Sequence, residues 1–117
     1  MVGIDIEEVD RFKRLVHKKP NLIKRLFSTY EWEYALNKNN PHQTLAGIWC
    51  AKEAVIKAFT TIELLSMKDI QITHSEHGAP KAVVSKTHIE NDYIVHISIS
   101  HSRNQATAIA FVKQLPK

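Results

Sequence analysis

The sequence has few of the features that mark secreted, membrane-spanning or nucleic-acid-binding proteins. Cys50 is the single cysteine among 117 residues, so no internal disulfide can form and we expect a reducing compartment, the cytoplasm. No run reaches the roughly 18 apolar residues of a membrane-spanning helix, and no signal-peptide pattern precedes Gly3, so we expect no membrane partner. Linkers, repeats and low-complexity segments are also missing. The length and the 44% hydrophobic content therefore predict one domain, residues 1–117.

Positive charge is concentrated in the first third of the chain. The formal net charge is +4 at pH 7, and such a segment attracts an acidic partner and raises the rate of encounter. Nucleic acid is the alternative partner, but no aromatic platform interleaves with the basic residues and no recognised motif is present, so we expect none. A solvated basic helix without a partner is a third interpretation. The basic residues are Arg11, Lys13, Arg14, Lys18, Lys19, Lys24 and Arg25.

Two acidic residues near the start of the chain share one face of a predicted strand. The segment 2–9 begins with alternating apolar and polar side chains and then changes period, with residues 2, 4 and 6 on the apolar face of a short strand. Asp5 and Glu7 project from the other face, about 7 Å apart along the strand. Glu53 could complete a set of three carboxylates that suits a hard cation such as Mg²⁺. An acidic strand edge without a ligand is the alternative.

An apolar stretch at residues 46–59 is interrupted only by Lys52, Glu53 and Lys57. At about 100° per residue, Glu53 and Lys57 lie one turn apart on nearly the same helix face. A carboxylate among so many apolar side chains is costly unless a cation compensates its charge. Either Glu53 has a function, or it forms an ordinary intrahelical pair with Lys57.

Alternation of apolar residues at 95, 97 and 99 with polar ones predicts a half-buried strand that ends at Ser100-His101-Ser102. Several hydrogen-bond donors at one strand end, followed by Arg103, suit an anionic group such as phosphate. A nucleophilic Ser–His pair is the competing interpretation, but the segment lacks a Gly-x-Ser-x-Gly elbow and an obvious orienting acid.

Helical patterns occupy the first half of the chain and strand patterns the second half. This order predicts an α+β fold with helices packed on an antiparallel sheet. Pro20 and Pro41 stand where helices would begin, and Ser28 or Thr29 can cap the third helix. Residues 77–80 predict a turn. The predicted strands are 1–6, 68–74, 80–84, 92–100 and 105–112, and the predicted helices are 7–18, 20–27, 29–38 and 43–59.

Four segments, in this order, resemble the 4′-phosphopantetheinyl transferases: GIDIEEVDRF at 3–12, FSTYE at 27–31, WCAKEAVIKAF at 49–59 and ISISHS at 97–102. The short length is similar to the holo-(acyl-carrier-protein) synthase branch of the family. The resemblance implies the same α+β fold as a single lobe. It also implies a Mg²⁺-dependent enzyme that moves the 4′-phosphopantetheine arm of coenzyme A onto a serine of an acyl carrier protein. The other product would be adenosine 3′,5′-bisphosphate.

The resemblance implies catalytic roles for four residues. Asp5 and Glu53 match the residues that hold Mg²⁺ in the family. Glu7 matches a third ligand of the longer, two-lobed branch, whereas many short members have an apolar residue there and water takes its place. Lys57 would contact the phosphates during transfer. The serine proton would pass either to Glu53 or to a metal-bound water, and the sequence does not choose between them.

The resemblance also implies contacts to coenzyme A and to the carrier protein. His101 looks like the histidine that contacts a coenzyme A phosphate. On the first helix, Arg11 and Arg14 would face the acidic carrier protein. The residues expected to bind coenzyme A are His101, Ser100, Lys57 and Lys52.

Two positions depart from the pattern of the short branch. Its members usually carry Gly-Thr-Gly shortly after the position of Ala58, where this chain continues Phe-Thr-Thr-Ile at 59–62. This loop lacks the freedom of glycine to approach a phosphate closely. Many members carry arginine where Ile48 stands. The alternative function is therefore a carrier-protein- or nucleic-acid-binding module without catalysis.

The resemblance further implies a homotrimer. The longer branch places the metal motifs in one lobe and a Ser-His-Ser segment in the other, with coenzyme A between them. A single lobe would take the second half from a copy of itself, and the short branch does so as a closed trimer. Asp5 and His101 of one site would then come from different chains.

Overall fold

Five helices and five strands make up the fold, which a computed structural model describes for residues 1–116. A short 3₁₀ turn at Met67–Asp69 precedes the second strand. The strands are β1 (Val2–Glu8), β2 (Ile70–His74), β3 (Pro80–Val84), β4 (Tyr93–His101) and β5 (Gln105–Gln114). The helices are α1 (Val9–Lys18), α2 (Pro20–Lys24), α3 (Thr29–Leu36), α4 (Pro41–Phe59) and α5 (Thr87–Asp92).

The strands form two antiparallel sheets, and both pack against α4. The larger sheet has the order β1-β5-β4, and the smaller one is the hairpin β2-β3. Ala108 in the central strand lies opposite Asp5 on one side and Ile99 on the other. The predicted α+β class with helices on antiparallel sheet is confirmed. Within residues 1–116, no helix is both long enough and apolar enough to span a membrane.

The contact between β1 and α4 depends on a glycine. A Cβ atom added to Gly3 would lie 1.9 Å from the carbonyl oxygen of Ala54, so any other residue would force the two elements apart. Because Asp5 follows Gly3 on the same face of β1, this close approach also sets the position of Asp5 relative to α4.

The helix starts signalled by Pro20, Ser28 and Pro41 are confirmed, although the range predicted for α4 began at residue 43, and α1 begins at Val9 rather than at residue 7. Ser28 caps α3: its Oγ accepts a hydrogen bond from the Glu31 N–H at 3.1 Å, and Glu31 Oε1 accepts one from the Ser28 N–H at 2.7 Å. Pro41 begins α4, and Asn40 Oδ1 accepts from the Gln43 N–H at 3.2 Å.

The sequence-based prediction missed α5 and lengthened β2 by the residues of the 3₁₀ turn. Helix α5 buries only Ile89, so it has no apolar period to detect. The 3₁₀ turn is closed by Asp69, whose Oδ2 accepts from the Ser66 N–H at 2.8 Å. The predicted turn at 77–80 is present, with Gly78 at a φ of 83°.

One face of the larger sheet is apolar and exposed. Alternation in β1 turns Gly3 toward α4 and leaves the side chains on the opposite face 59–63% exposed. The same face continues onto β5, where Ile109 is 42% and Phe111 54% exposed. We call this surface the outer sheet face; its apolar residues are Val2, Ile4, Ile6, Ile109 and Phe111.

Candidate active site

Strand β1 and helix α4 bring together Asp5 and Lys57, which are 52 residues apart in sequence. The Nζ atom of Lys57 donates to Asp5 Oδ1 at 3.1 Å and to the carbonyl oxygen of Ile4 at 3.0 Å. The Asp5 side chain is 13% exposed and that of Lys57 is 53% exposed. Among the ion pairs of residues 1–116, Lys57 pairs with Asp5 and not with Glu53. The ordinary intrahelical pair is therefore not formed.

Asp5 and Glu53 form an acidic pair that a cation would stabilise. The second carboxylate oxygen of Asp5, Oδ2, is buried and has no hydrogen-bond partner. Burial raises the pKa of Glu53, and the negative charge of Asp5 raises it further, against the opposing effect of Lys57. An unpartnered buried oxygen next to a second carboxylate is costly unless positive charge compensates it. The donor set fits Mg²⁺, which binds one or two carboxylates and keeps several waters.

Glu7 forms an ion pair of its own with Arg11. Its Oε2 accepts a hydrogen bond from Arg11 Nη1 at 2.8 Å, one helical turn further along the chain. In the described residues 1–116, no group of three or more His, Cys, Asp or Glu side chains is placed to hold a metal ion. The expected cluster of three carboxylates is therefore not formed, because Arg11 takes the third one.

The thiol of Cys50 lies behind Asp5 in the core. Its Sγ donates to the carbonyl oxygen of Ala106 at 3.4 Å. Burial, followed by the charge of Asp5, raises the pKa of Cys50 to about 12. The thiol therefore stays protonated at neutral pH and is a packing group rather than a nucleophile.

Lys52 lies in the core and away from the site. Its side chain is 2% exposed, and its Nζ donates to Glu31 Oε1 at 2.8 Å and to the carbonyl oxygen of Leu26 at 3.2 Å. Glu31 Oε2 in turn accepts from the Ile72 N–H at 2.7 Å. This placement contradicts the expectation that Lys52 contacts coenzyme A, because its ammonium group is enclosed and paired.

His101 and Ser100 lie on opposite faces of β4. The His101 ring packs against α4: a Cβ atom added to Gly47 would lie 2.7 Å from its Nε2. Burial on that side lowers the pKa of His101 below its ordinary value. Ser100 is on the outer sheet face, so one chain does not present the two side chains to the same ligand.

A cavity of about 240 Å³ lies next to His101 and was not predicted from the sequence. It lies between the end of α3, the first half of α4, the β2–β3 hairpin and the end of β4. Tyr34 stacks on His74 with ring centroids 3.8 Å apart and planes 4° apart. Lys38 Nζ lies 4.6 Å from the centroid of the Tyr34 ring. The spacing of Tyr34 and Lys38 was a detectable signal for a shared helix face, whereas the contribution of His74 depends on tertiary packing.

Comparison with known proteins gives one consistent result. The profile of the 4′-phosphopantetheinyl transferase superfamily matches residues 1–112. The holo-(acyl-carrier-protein) synthase of Caldicellulosiruptor saccharolyticus is 40% identical, over 97% of this chain and 95% of the relative. The enzyme of that name from Caldanaerobacter subterraneus subsp. tengcongensis is 37% identical, over 93% and 91%. The Helicobacter pylori synthase, solved in complex with coenzyme A, superposes with a TM-score of 0.83 at 32% identity, over 97% of this chain and 100% of that chain.

Proposed function

The chain belongs to the 4′-phosphopantetheinyl transferase superfamily, and from this premise we propose that it acts as a holo-(acyl-carrier-protein) synthase. It transfers the 4′-phosphopantetheine group of coenzyme A to a serine of an apo acyl carrier protein and leaves adenosine 3′,5′-bisphosphate. Relatives of that name align with nearly the whole chain. One observation carries the proposal: Asp5, Glu53 and Lys57 lie together, and the buried Oδ2 of Asp5 has no hydrogen-bond partner.

The three side chains supply what phosphoryl transfer needs. Asp5 and Glu53 would hold Mg²⁺, and the ion would neutralise charge on the diphosphate of coenzyme A. The ammonium of Lys57 is half-exposed and donates to Asp5 and to the Ile4 carbonyl oxygen, so its one remaining N–H can turn toward a phosphate oxygen as charge develops there. The proton of the serine hydroxyl would pass either to Glu53 itself or to a water that the metal holds beside it.

The acidic carrier protein would dock on α1. Lys13, Arg14, His17 and Lys18 line a surface groove of about 560 Å³. Arg11 stands on the same helix, but its guanidinium already pairs with Glu7. Arg14 takes part in no ion pair within residues 1–116, and we therefore assign it the larger share of carrier recognition.

The outer sheet face supports assembly into a homotrimer. Five apolar side chains on one face of β1 and β5 are 42–63% exposed, which is more apolar surface in one place than single exposed side chains account for. Copies of the chain would cover this face and bring Ser100 into the interface. We place the protein in the cytoplasm, where its single thiol, Cys50, remains reduced.

The test is the intact mass of an apo acyl carrier protein incubated with the protein, coenzyme A and Mg²⁺. We expect a gain of one phosphopantetheinyl group that is lost with EDTA and with Glu53→Gln. Glu33→Gln, an exposed change on α3, is the matched control and should leave the gain intact. Binding of carrier and coenzyme A without any mass gain would instead support a non-catalytic binding module.

A further inference from the structure

The ion pair of Glu7 and Arg11 joins the strand that carries Asp5 to the helix on which the carrier protein would dock. Strand β1 ends at Glu8 and α1 begins at the next residue, Val9, so no linker separates the two elements. Arg11 Nη1 donates to Glu7 Oε2 at 2.8 Å across this junction. A new partner for Arg11 on α1 therefore directly affects a carboxylate on β1.

Glu7 is close enough to the metal site to change its electrostatics. Asp5 and Glu7 are two residues apart on the inner face of β1, which packs against α4. Burial, followed by the charge of Asp5, raises the pKa of Glu53; the charge of Glu7 raises it as well, and that of Arg11 lowers it. Both members of the ion pair therefore act on the carboxylates that would hold Mg²⁺.

Arg11 is the accessible member of the pair. Its side chain is 47% exposed, whereas that of Glu7 is 18% exposed. A guanidinium has several N–H donors, and the hydrogen bond described for Arg11 within residues 1–116 goes to Glu7. Arg11 and Arg14 both line a surface cavity of about 380 Å³ at this junction. A carboxylate of a partner protein can therefore reach Arg11 from solvent and compete with Glu7 for it.

The pair is weak enough for such a competition to succeed. Ion pairs with a half-exposed partner add little free energy, because water and dissolved ions screen them. With Arg11 bound to Glu7, residues 1–116 contain no group of three acidic, histidine or cysteine side chains placed to hold a metal ion. A carboxylate released beside Asp5 and Glu53 would add a third anionic oxygen ligand of the kind that Mg²⁺ prefers.

We propose that Arg11 lowers the Mg²⁺ affinity of the site at Asp5 and Glu53 by keeping Glu7 out of the ligand set, and that an acidic carrier docked on α1 releases Glu7 to it. The inference rests on the proposed function, which assigns the metal to Asp5 and Glu53 and the carrier to α1. Carrier and Mg²⁺ then each tighten the binding of the other, because the coupling between two sites is reciprocal.

The first test measures Mg²⁺ binding by calorimetry, without coenzyme A or carrier. Arg11→Met should raise the affinity about ten-fold, and Arg11→Lys, which keeps a cation for Glu7, should stay near the wild-type value. The gain should vanish when Glu7→Gln is added, because the released ligand is then absent. Arg14→Met is the matched control: it removes a cation of the same cavity that is in no ion pair within residues 1–116, and it should change the affinity less than about two-fold.

The second test adds an apo acyl carrier protein whose acceptor serine is replaced by alanine, so that no transfer occurs. Mg²⁺ should bind the wild-type protein several-fold more tightly in this complex than in the free protein. The carrier should leave the Mg²⁺ affinity of the Glu7→Gln variant unchanged. This second comparison separates release of Glu7 from a general attraction of Mg²⁺ to the acidic carrier.

The outcomes separate this inference from the proposed function. An equal gain from Arg11→Met with and without Glu7→Gln would overturn it, because Arg11 would then act through its charge alone. An Mg²⁺ affinity that neither Arg11→Met nor the carrier changes also overturns it, and in both cases the transferase proposal stands. If the affinities behave as expected but no carrier is modified, the coupling stands and the transferase proposal fails. Absence of Mg²⁺ binding to every variant would contradict the metal site and, with it, both proposals.

Discussion

At the scale of single residues, the surroundings of Glu53 destabilise its ionised form. Burial and the charge of Asp5 raise the pKa of Glu53, so the folded state binds the Glu53 proton more tightly than the unfolded state does. At neutral pH the ionised carboxylate therefore destabilises the metal-free protein, and stability rises as the pH falls toward the raised pKa. A group kept at such a cost is best explained by a cation that relieves the repulsion.

We predict that Glu53→Gln separates stability from activity. In EDTA at neutral pH, the variant should unfold at the same temperature as the wild-type protein or a higher one, because the repulsion with Asp5 is removed. Transfer to the carrier protein should fall by a factor on the order of 10² or more. Thermal unfolding in EDTA and in Mg²⁺ measures the first effect: the ion should stabilise the wild-type protein and not the variant. A clear loss of stability in EDTA would contradict this account.

His101 gives a prediction for the pH dependence of coenzyme A binding. Because burial lowers its pKa from the ordinary 6.5, the ring is neutral at pH 7. A bound phosphate favours the protonated ring, so affinity should rise as the pH falls below about 6.5. NMR titration of the ring protons with and without coenzyme A should show the pKa of His101 rising on binding. His74 shares the cavity and is also lowered, so His74→Gln must keep the effect and His101→Gln must remove it.

Residue patterns predicted some of these positions and not others. Alternation in β1 and the helical period in α4 predicted a common face for Asp5 and Glu7 and another for Glu53 and Lys57. The partner of each charge depends on packing between distant segments. Lys57 pairs with Asp5 across 52 residues, and no local period contains that information.

At the scale of elements, a buried ion pair joins α3, α4 and β2. Glu31 accepts from Lys52 Nζ at 2.8 Å and from the Ile72 N–H at 2.7 Å, and it also closes the capping box with Ser28. Glu31 is 0% and Lys52 1% exposed, so neither charge has water to replace a lost partner. The pair fixes the orientation of α4 around its axis and, with it, the direction of the neighbouring Glu53.

We predict that Lys52→Met costs about 3–5 kcal/mol of unfolding free energy, because it leaves the Glu31 carboxylate buried without its cation. The double variant Glu31→Gln with Lys52→Met should recover part of this loss, since no lone charge remains. Lys57→Met, on the same helix but with a half-exposed ammonium, should cost less than Lys52→Met, because water can reach the Asp5–Lys57 pair from one side. Urea denaturation of the four proteins measures the differences. Equal costs for the two lysine variants would show that burial does not control this pair.

The elements themselves were predicted where local chemistry defines them. Ser28, Pro41 and the residues that follow each of them specify helix starts through capping and a preset φ, and both starts are observed. Helix α5 lacks such signals. Alternation in β1 predicted two faces but not which of them packs on the core. The Gly3 face does, because only a residue without a side chain can approach α4 so closely.

At the scale of the whole molecule, the outer sheet face is an apolar surface that the fold of one chain does not bury. Helix α4 covers the inner face of the sheet, so Ile4 at 63% exposure and Phe111 at 54% gain nothing from the fold of a single copy. Burial of such side chains releases about 25 cal/mol per Å² of apolar surface, which favours association of copies. The basic groove on α1 is lined by other residues and would remain available for the proposed carrier protein.

We predict that Ile4→Asp prevents assembly of the proposed trimer. Ile4 is exposed in the single chain, so the change should leave the monomer folded, while a carboxylate at the interface would be buried without a partner. Light scattering after size-exclusion chromatography should show trimer for the wild-type protein and monomer for the variant. Leu64→Asp, at an apolar residue that is 80% exposed outside the sheet, is the control and should remain trimeric. A wild-type monomer, or a trimeric Ile4→Asp variant, would show that the outer sheet face is not the interface.

A mixing experiment then tests whether each site is shared between chains. Asp5→Asn and His101→Ala should each abolish most of the transfer activity of a pure trimer. If Asp5 of one chain serves the same site as His101 of its neighbour, a trimer assembled from both variants contains sites in which both residues are intact. Random assembly from equal amounts would restore roughly a quarter of the sites. Co-expression followed by the carrier mass assay measures this recovery. If both residues of a site came from the same chain, mixing would restore nothing, and each lobe would have to bind coenzyme A alone.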